Sequence, residues 1–338
     1  MSKSLKAIFV IFFATLLSLT ACTKKANKIS AAGATFPYPL YAKWISDYKT
    51  KAPGPEITYQ SIGSGGGVRQ LIEGTIDFGA SDDPMKAEDL AKSKWPIIQV
   101  PTTMGGVVLA YNLPSANGSL NLSGEVLAQI FLGKIAKWDD IAIKTLNPTL
   151  NLPSKDILSV HRADGSGTTA IFTDYLSKMD GEWKEKLGKG KSINWPNGIG
   201  GKGNEGVTAM IKQTEGAIGY VGLEFALKNS ITYANIKNAQ GDFIHADIKS
   251  VSAAAEGITS FDMDKIASIT NSPAPGAYPI SAFTFLLLPK KGNAALEEEI
   301  KKFVSWCLTE GQASAGSLSY SALPTSMATA ILEAVKNF

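Results

Sequence analysis

Apolar positions recur along this chain in two registers. Leu40, Tyr41, Trp44, Ile45 and Tyr48 fall three and four residues apart, the spacing of a helix with one buried face. Val126, Leu127, Ile130 and Phe131 repeat that spacing behind Ser123, a side chain suited to capping a helix start. Leu296, Ile300, Phe303, Val304, Cys307 and Leu308 do so again near the C-terminus. Short runs rich in Val, Ile and Leu lie between such segments, at 76–80, 97–100, 107–112, 157–160, 217–221 and 283–288, and these predict strands. Strands alternating with helix-length segments predict α/β layers on a mostly parallel sheet.

Two stretches read as passages between domains. They are MGGVVLAYN (104–112) and NSPAPGAYPIS (271–281), the second rich in Pro and Gly. If the chain crosses at both, residues 29–105 and 281–338 form one discontinuous lobe and 106–280 a second, with a cleft between them. The length of 338 residues suits two such units, and 44% hydrophobic residues argues against disorder.

The N-terminus changes the picture of location. Lys3 and Lys6 precede an apolar run at 7–19 that is shorter than the ~20 residues of a membrane-spanning helix. Leu19-Thr20-Ala21-Cys22 then resembles a bacterial lipobox. The expectation is a signal peptide at 1–21, lipid on Cys22, a polar tether at 22–28, and a protein held at a membrane in the periplasm or at the cell surface. Without Lys3 and Lys6 the formal net charge of +3 falls to +1. That gives no clustered basic surface and excludes nucleic acid as the expected partner. Cys307 is the only other cysteine, and its place in a helical apolar face predicts a buried, inert thiol. His161 and His245 are the only histidines, and without an HxxxH or CxxC pair no metal site is expected.

Chemistry concentrates in four short stretches of one design: GATF (33–36), IGSGGG (62–67), GASDDP (79–84) and RADGSGTT (162–169). Each follows an extended segment or the chain start and precedes a helical pattern. Helix N-termini at the carboxyl ends of strands offer unpaired N–H groups and a positive dipole end to anions. Glycine lets the backbone approach, and Ser or Thr adds a donor. Arg162 supplies a fixed charge in a planar fork suited to oxyanions. Asp164, two residues on in extended chain, faces the same side and holds the guanidinium in place. In GASDDP, Asp83 before Pro84 reads as a helix N-cap, which leaves Asp82 without a structural task.

Enzyme readings fare worse. Gly190-Lys191-Ser192 has the end of a Walker loop, but Glu185 stands where its first glycine belongs. Neither Ser64 nor Ser166 sits in GxSxG, and no triad forms around His161. GIGGKGNEG (198–206) reads as a Gly-rich turn opening a helix from Val207.

Taken together, AAGATFPYPLYAKW, YQSIGSGGGVRQ, DFGASDDP, FLGKIAKWDD, HRADGSGTT, WPNGIGGKGN and GAIGYV resemble, in order, segments of the periplasmic phosphate-binding proteins of bacterial high-affinity phosphate ABC transporters. The resemblance covers nearly all of the chain beyond the leader. It implies an α/β type II periplasmic-binding-protein fold whose two lobes close over one inorganic phosphate. By matching motif, the implied phosphate ligands are Thr35, Phe36 (through its backbone N–H), Ser64, Asp82, Arg162, Ser166, Gly167 and Thr168, with Asp164 in support. It implies a monomer with no cofactor and no catalytic residue, whose partners are phosphate, the importer's permease subunits and, through Cys22, the membrane. GASDDP departs from the family's GASDAP-like pattern at its second acid, and the lipobox departs from members released freely. Another oxyanion, a phosphatase-like reaction on the same fold, and a tethered sensor or adhesin remain as rival readings.

Overall fold

The computed structural model describes residues 28–338 apart from 53, 117, 257 and 259–265. The leader and Cys22 lie outside the described residues. Strand β1 (Lys28–Gly33) begins the described chain, followed by β2 (Glu56–Ser61), β3 (Phe78–Ser81) and β4 (Ile97–Tyr111). After these come β5 (Asn121–Leu122), β6 (Leu158–Arg162), β7 (Ile199–Gly201), β8 (Ala217–Gly222), β9 (Asn235–Lys237), β10 (Phe243–Ile244) and β11 (Ser281–Pro289). Eight of them form one sheet in the order β2-β1-β3-β11-β4-β8-β6-β7, and β10-β9-β5 form a small second sheet.

The main sheet is parallel only on its flanks. β2-β1-β3 run parallel on one side and β8-β6-β7 on the other. The centre is antiparallel, because β4 and β11 carry the chain across in opposite directions. The expected strands at 97–100 and 107–112 are one continuous β4. Its residues 97–106 pair with β11 and its residues 107–111 with β8. Pro101 and the glycines do not end it. Pro101 sits at the register shift opposite Thr284 and Phe285, a tolerated place for a residue without an N–H. Gly105 is required by close approach, since a Cβ there would lie 2.4 Å from Cζ of Phe36.

The helical patterns fold as their spacing dictates. Helix Tyr38–Lys51 buries Leu40, Tyr41, Trp44 and Tyr48. Helix Gly124–Phe131 is capped by Ser123, whose hydroxyl accepts from the Val126 N–H at 3.4 Å. Helix Ala294–Leu308 buries Cys307, and burial pushes its thiol pKa well up. No helix among the described residues is long and apolar enough to cross a membrane.

Candidate functional site

The chemistry-bearing loops all leave the carboxyl ends of parallel strands. Thr35 and Phe36 follow β1, Ser64 follows β2, Asp82 follows β3, and Asp164 to Thr168 follow β6. The two parallel flanks thus aim their loops at one place from either side of the antiparallel centre, where open α/β sheets bind ligands. Helices Ser64–Glu73 and Gly167–Met179 start there, so their first N–H groups lack acceptors within the helix.

Two hydrogen-bond chains hold the loops together. In the first, Arg162 grips Asp164 with one edge of its fork: Nε donates to Oδ1 at 2.7 Å and Nη2 to Oδ2 at 2.6 Å. Nη1 of Arg162 reaches Oγ1 of Thr168 at 3.3 Å. Thr168 also accepts from Nδ2 of Asn204 at 3.2 Å, and Asn204 donates to Oγ1 of Thr35 through Nδ2 at 2.7 Å and through its N–H at 3.2 Å. The Gly203 N–H completes the set with a 3.0 Å bond to Asp164.

In the second chain, Ser64 is the hub. Its hydroxyl oxygen accepts from the Gly167 N–H at 3.1 Å and the Asp82 N–H at 3.2 Å, and it lies 3.4 Å from Oδ2 of Asp82. Thr284 on β11 donates to Oδ1 of Asp82 at 2.8 Å. Ser166 caps helix Gly167–Met179 by accepting from the Thr169 N–H at 3.0 Å, which leaves its O–H proton to donate. Phe36 lies beside Thr35 with its ring edge-on to Tyr320, whose hydroxyl donates to the Phe36 carbonyl. Every residue named from the sequence as a ligand therefore falls within one buried cluster, with Asp164 half-buried at its edge. Thr168 follows Gly167 directly and joins the two chains.

Glycines make the approach possible. Gly63 precedes Ser64 at φ +88°, and a Cβ there would fall 2.2 Å from Oδ2 of Asp164. At Gly167 a Cβ would lie 2.5 Å from Oγ of Ser64 and 2.6 Å from Oδ2 of Asp82. A backbone bond from the Gly65 N–H to the Gly165 carbonyl, 2.8 Å, closes the contact between the two sides.

The two site carboxylates differ in charge state. Burial tends to raise the pKa of Asp164, but the hydrogen bonds and charge of Arg162, with the Gly203 N–H, outweigh it and hold the group below the usual carboxylate value. Asp82 is 4% exposed. Burial pushes its pKa up to about 7 against the opposing pull of the Thr284 hydroxyl, the Arg162 charge and Ser64. The cluster is therefore a ring of N–H and O–H donors around one buried carboxyl that takes up and gives up a proton near neutrality.

Asp83 is a correction to the sequence reading. It caps no helix, because the next helix begins at Ala87, with Lys86 as its N-cap residue in extended conformation. Its carboxylate instead lies 3.2 Å from Nζ of Lys189 and 3.3 Å from Nζ of Lys191. His161 stacks on Trp195, and its Nδ1 lies 3.2 Å from the Arg162 carbonyl oxygen. Asn204, Thr284 and Tyr220, which binds the Arg162 N–H at 3.0 Å, were not singled out by the sequence. Asn204 had a signal. It sits at the start of helix Gly203–Gln213 just after β7, the same strand, glycine and helix order as the other loops, and the helix opens four residues before the expected Val207.

The sequence model of the PBP superfamily domain matches residues 20–310. The chain is 48% identical over 316 residues to the phosphate-binding protein PstS of Pasteurella multocida, covering 92% of this chain and 90% of that one. It is 40% identical over 308 residues to PstS of Methanocaldococcus jannaschii, covering 84% of this chain and 79% of the relative. Its backbone is similar to a solved high-affinity periplasmic phosphate-binding protein bound with phosphate, at TM-score 0.74 and 21% identity over 90% of this chain and 92% of that one. It is also similar to a phosphate-binding protein from Stenotrophomonas maltophilia, at TM-score 0.70 and 17% identity over 91% and 94% of the two chains. At such identities the structural likeness speaks for the fold.

Proposed function

The chain belongs to the PBP superfamily, with the type II periplasmic-binding-protein fold, and within it to the PstS phosphate-binding proteins; from that premise we propose that it captures inorganic phosphate at the described cluster and delivers it to the permease of an ABC importer. Thr35, the Phe36 N–H, Ser64, Arg162, Ser166, Gly167 and Thr168 donate to the phosphate oxygens, and Asp82 accepts from its P–OH. Asp164 positions the Arg162 fork. The lobes are residues 29–105 with 281–338, and 106–280, and they close over the anion. Capture and release leave the phosphate unchanged, and a lipid on Cys22 keeps the protein at the membrane.

The observation that carries the reading is Asp82. A carboxylate repels an anion and is unfavourable to bury unpaired. It suits an anion that brings its own proton. Phosphate near neutral pH keeps at least one P–OH, whereas a sulfate oxygen meets the carboxylate lone pair to lone pair. Isothermal titration with phosphate, sulfate and arsenate tests this. Phosphate and arsenate, alike in shape and protonation, bind; sulfate gives no heat even in large excess. Sulfate binding comparable to phosphate binding overturns the reading.

A further inference from the structure

Asp83 stands where the resembling motif carries alanine, and it joins the two sides of the cluster. We propose that Asp83, Lys189 and Lys191 form an ionic latch that exists only when the lobes are shut and so sets how slowly phosphate leaves. The inference rests on the two-lobe, phosphate-binding reading given above.

Both halves of the latch are built on rigid supports. On the Asp82 side, the Asp83 N–H donates to Oγ of Ser81 at 3.3 Å, and that hydroxyl returns a bond to the Asp83 carbonyl. On the other side, the Ser166 N–H donates to the Lys191 carbonyl at 2.8 Å, and the Gly190 N–H to Oγ1 of Thr173 at 3.1 Å. The segment bearing both lysines is therefore fixed to helix Gly167–Met179, whose first residues are proposed to hold the anion.

The carboxylate uses one oxygen for each ammonium, and the side chains of Asp83 and Lys191 are 12% and 17% exposed. At that depth an ion pair is screened less than a surface pair and contributes more. Lys189 also lies 3.6 Å from Asp174 on its own side, so it keeps a partner when the lobes part, whereas no ion pair of Lys191 other than that to Asp83 is found among the described residues. Opening the lobes thus separates charges that closing brings together. Asp83 and Lys189 line a cavity of about 330 Å³ beside Asp82, through which salt reaches the pair.

Such a bond, present only in the closed form, appears in the dissociation rate more than in the association rate. The test measures phosphate Kd by titration and the dissociation rate by stopped flow, at low and high sodium chloride. The proteins are wild type, Asp83→Asn, Lys189→Gln with Lys191→Gln, and the triple variant. Asp83→Asn is expected to weaken binding by about fivefold to thirtyfold, carried by faster release. The defect shrinks at high salt, and the triple variant falls short of the product of the two separate defects. The lysine double variant reads the same bond from its more exposed end should Asp83→Asn fold poorly. Unchanged release in both variants overturns the latch. So does tighter binding in Asp83→Asn, which would mean that the lysines act as free attractants screened by Asp83. A wild type that gives no heat with phosphate overturns the functional reading itself, which separates the two failures.

Discussion

Replacing Asp82 by Asn removes one ionisable group and little else. The amide keeps the shape and an acceptor for the Thr284 hydroxyl, and Arg162 retains Asp164 as its partner. Asp82 titrates near pH 7 in the folded protein against an ordinary value of 3.8. Because the folded pKa is the higher one, its contribution to stability is fully present below the unfolded value. It is lost as pH rises through the folded value, since the unfolded chain releases the proton first. At ~1.36 kcal/mol per pH unit, that gap amounts to ~4 kcal/mol, of which roughly 3 kcal/mol falls between about pH 5 and about pH 8. His161 works the other way in part of that window, because burial lowers its pKa and favours the neutral ring. The melting temperature of wild type alone therefore mixes opposing effects. The difference between variant and wild type at each pH cancels His161 and isolates Asp82. Measured by calorimetry in buffer free of phosphate and sulfate, that difference moves in favour of Asp82→Asn by about 4 °C from about pH 5 to about pH 8, given ~2 cal/mol/K per residue of unfolding entropy. Parallel pH profiles for the two proteins refute the raised pKa of Asp82.

Arg162→Lys keeps a charge but loses the fork that grips Asp164, and titration is expected to show phosphate affinity down by about tenfold to a hundredfold. Asn204→Ala deletes the bridge between Thr35 and Thr168 and the acceptor of the Gly222 N–H at 2.9 Å; the expected loss is about tenfold in affinity with little change in circular dichroism, and an unchanged Kd removes Asn204 from the site. Gly167→Ala puts a methyl into Ser64 and Asp82, so solution scattering should show phosphate shrinking the wild type but not the variant.

The sequence disclosed the loops because each is a local pattern: a strand end, a glycine, a hydroxyl, a helix. Arg162 and Asp164 were legible for the same reason, two residues apart on extended chain. What stayed hidden was long-range or disguised. Pro84 made Asp83 look like a cap, while its partners lie more than a hundred positions on at Lys189 and Lys191. Thr284 is one hydroxyl inside the apolar run of β11, indistinguishable there from strand filler until β3 pairs beside it. Asn204 was masked by surrounding glycines that read as a turn. The continuity of β4 was missed because Pro and Gly signal breaks in isolated segments, whereas at Gly105 the missing side chain makes room for a ring on a neighbouring loop.

Arg162 is matched by Asp164, and Lys189 and Lys191 by Asp83 and Asp174, so the cluster presents no large uncompensated positive charge. Attraction for an anion then comes chiefly from N–H and O–H dipoles fixed in a buried place, where a hydrogen bond is electrostatically stronger than in water. Such dipoles discriminate by position, and a surplus of charge would not. A cluster of bare cations would hold any oxyanion, sulfate included. With Arg162 tied to Asp164 and its fork oriented, the acceptor lone pairs of the Asp82 carboxylate become the largest difference that the site offers between a ligand with a proton and one without. On the proposed reading of the site, the matched pairs are thus part of how it selects. Removal of the acidic partner of Arg162, at Asp164, should erode discrimination against sulfate.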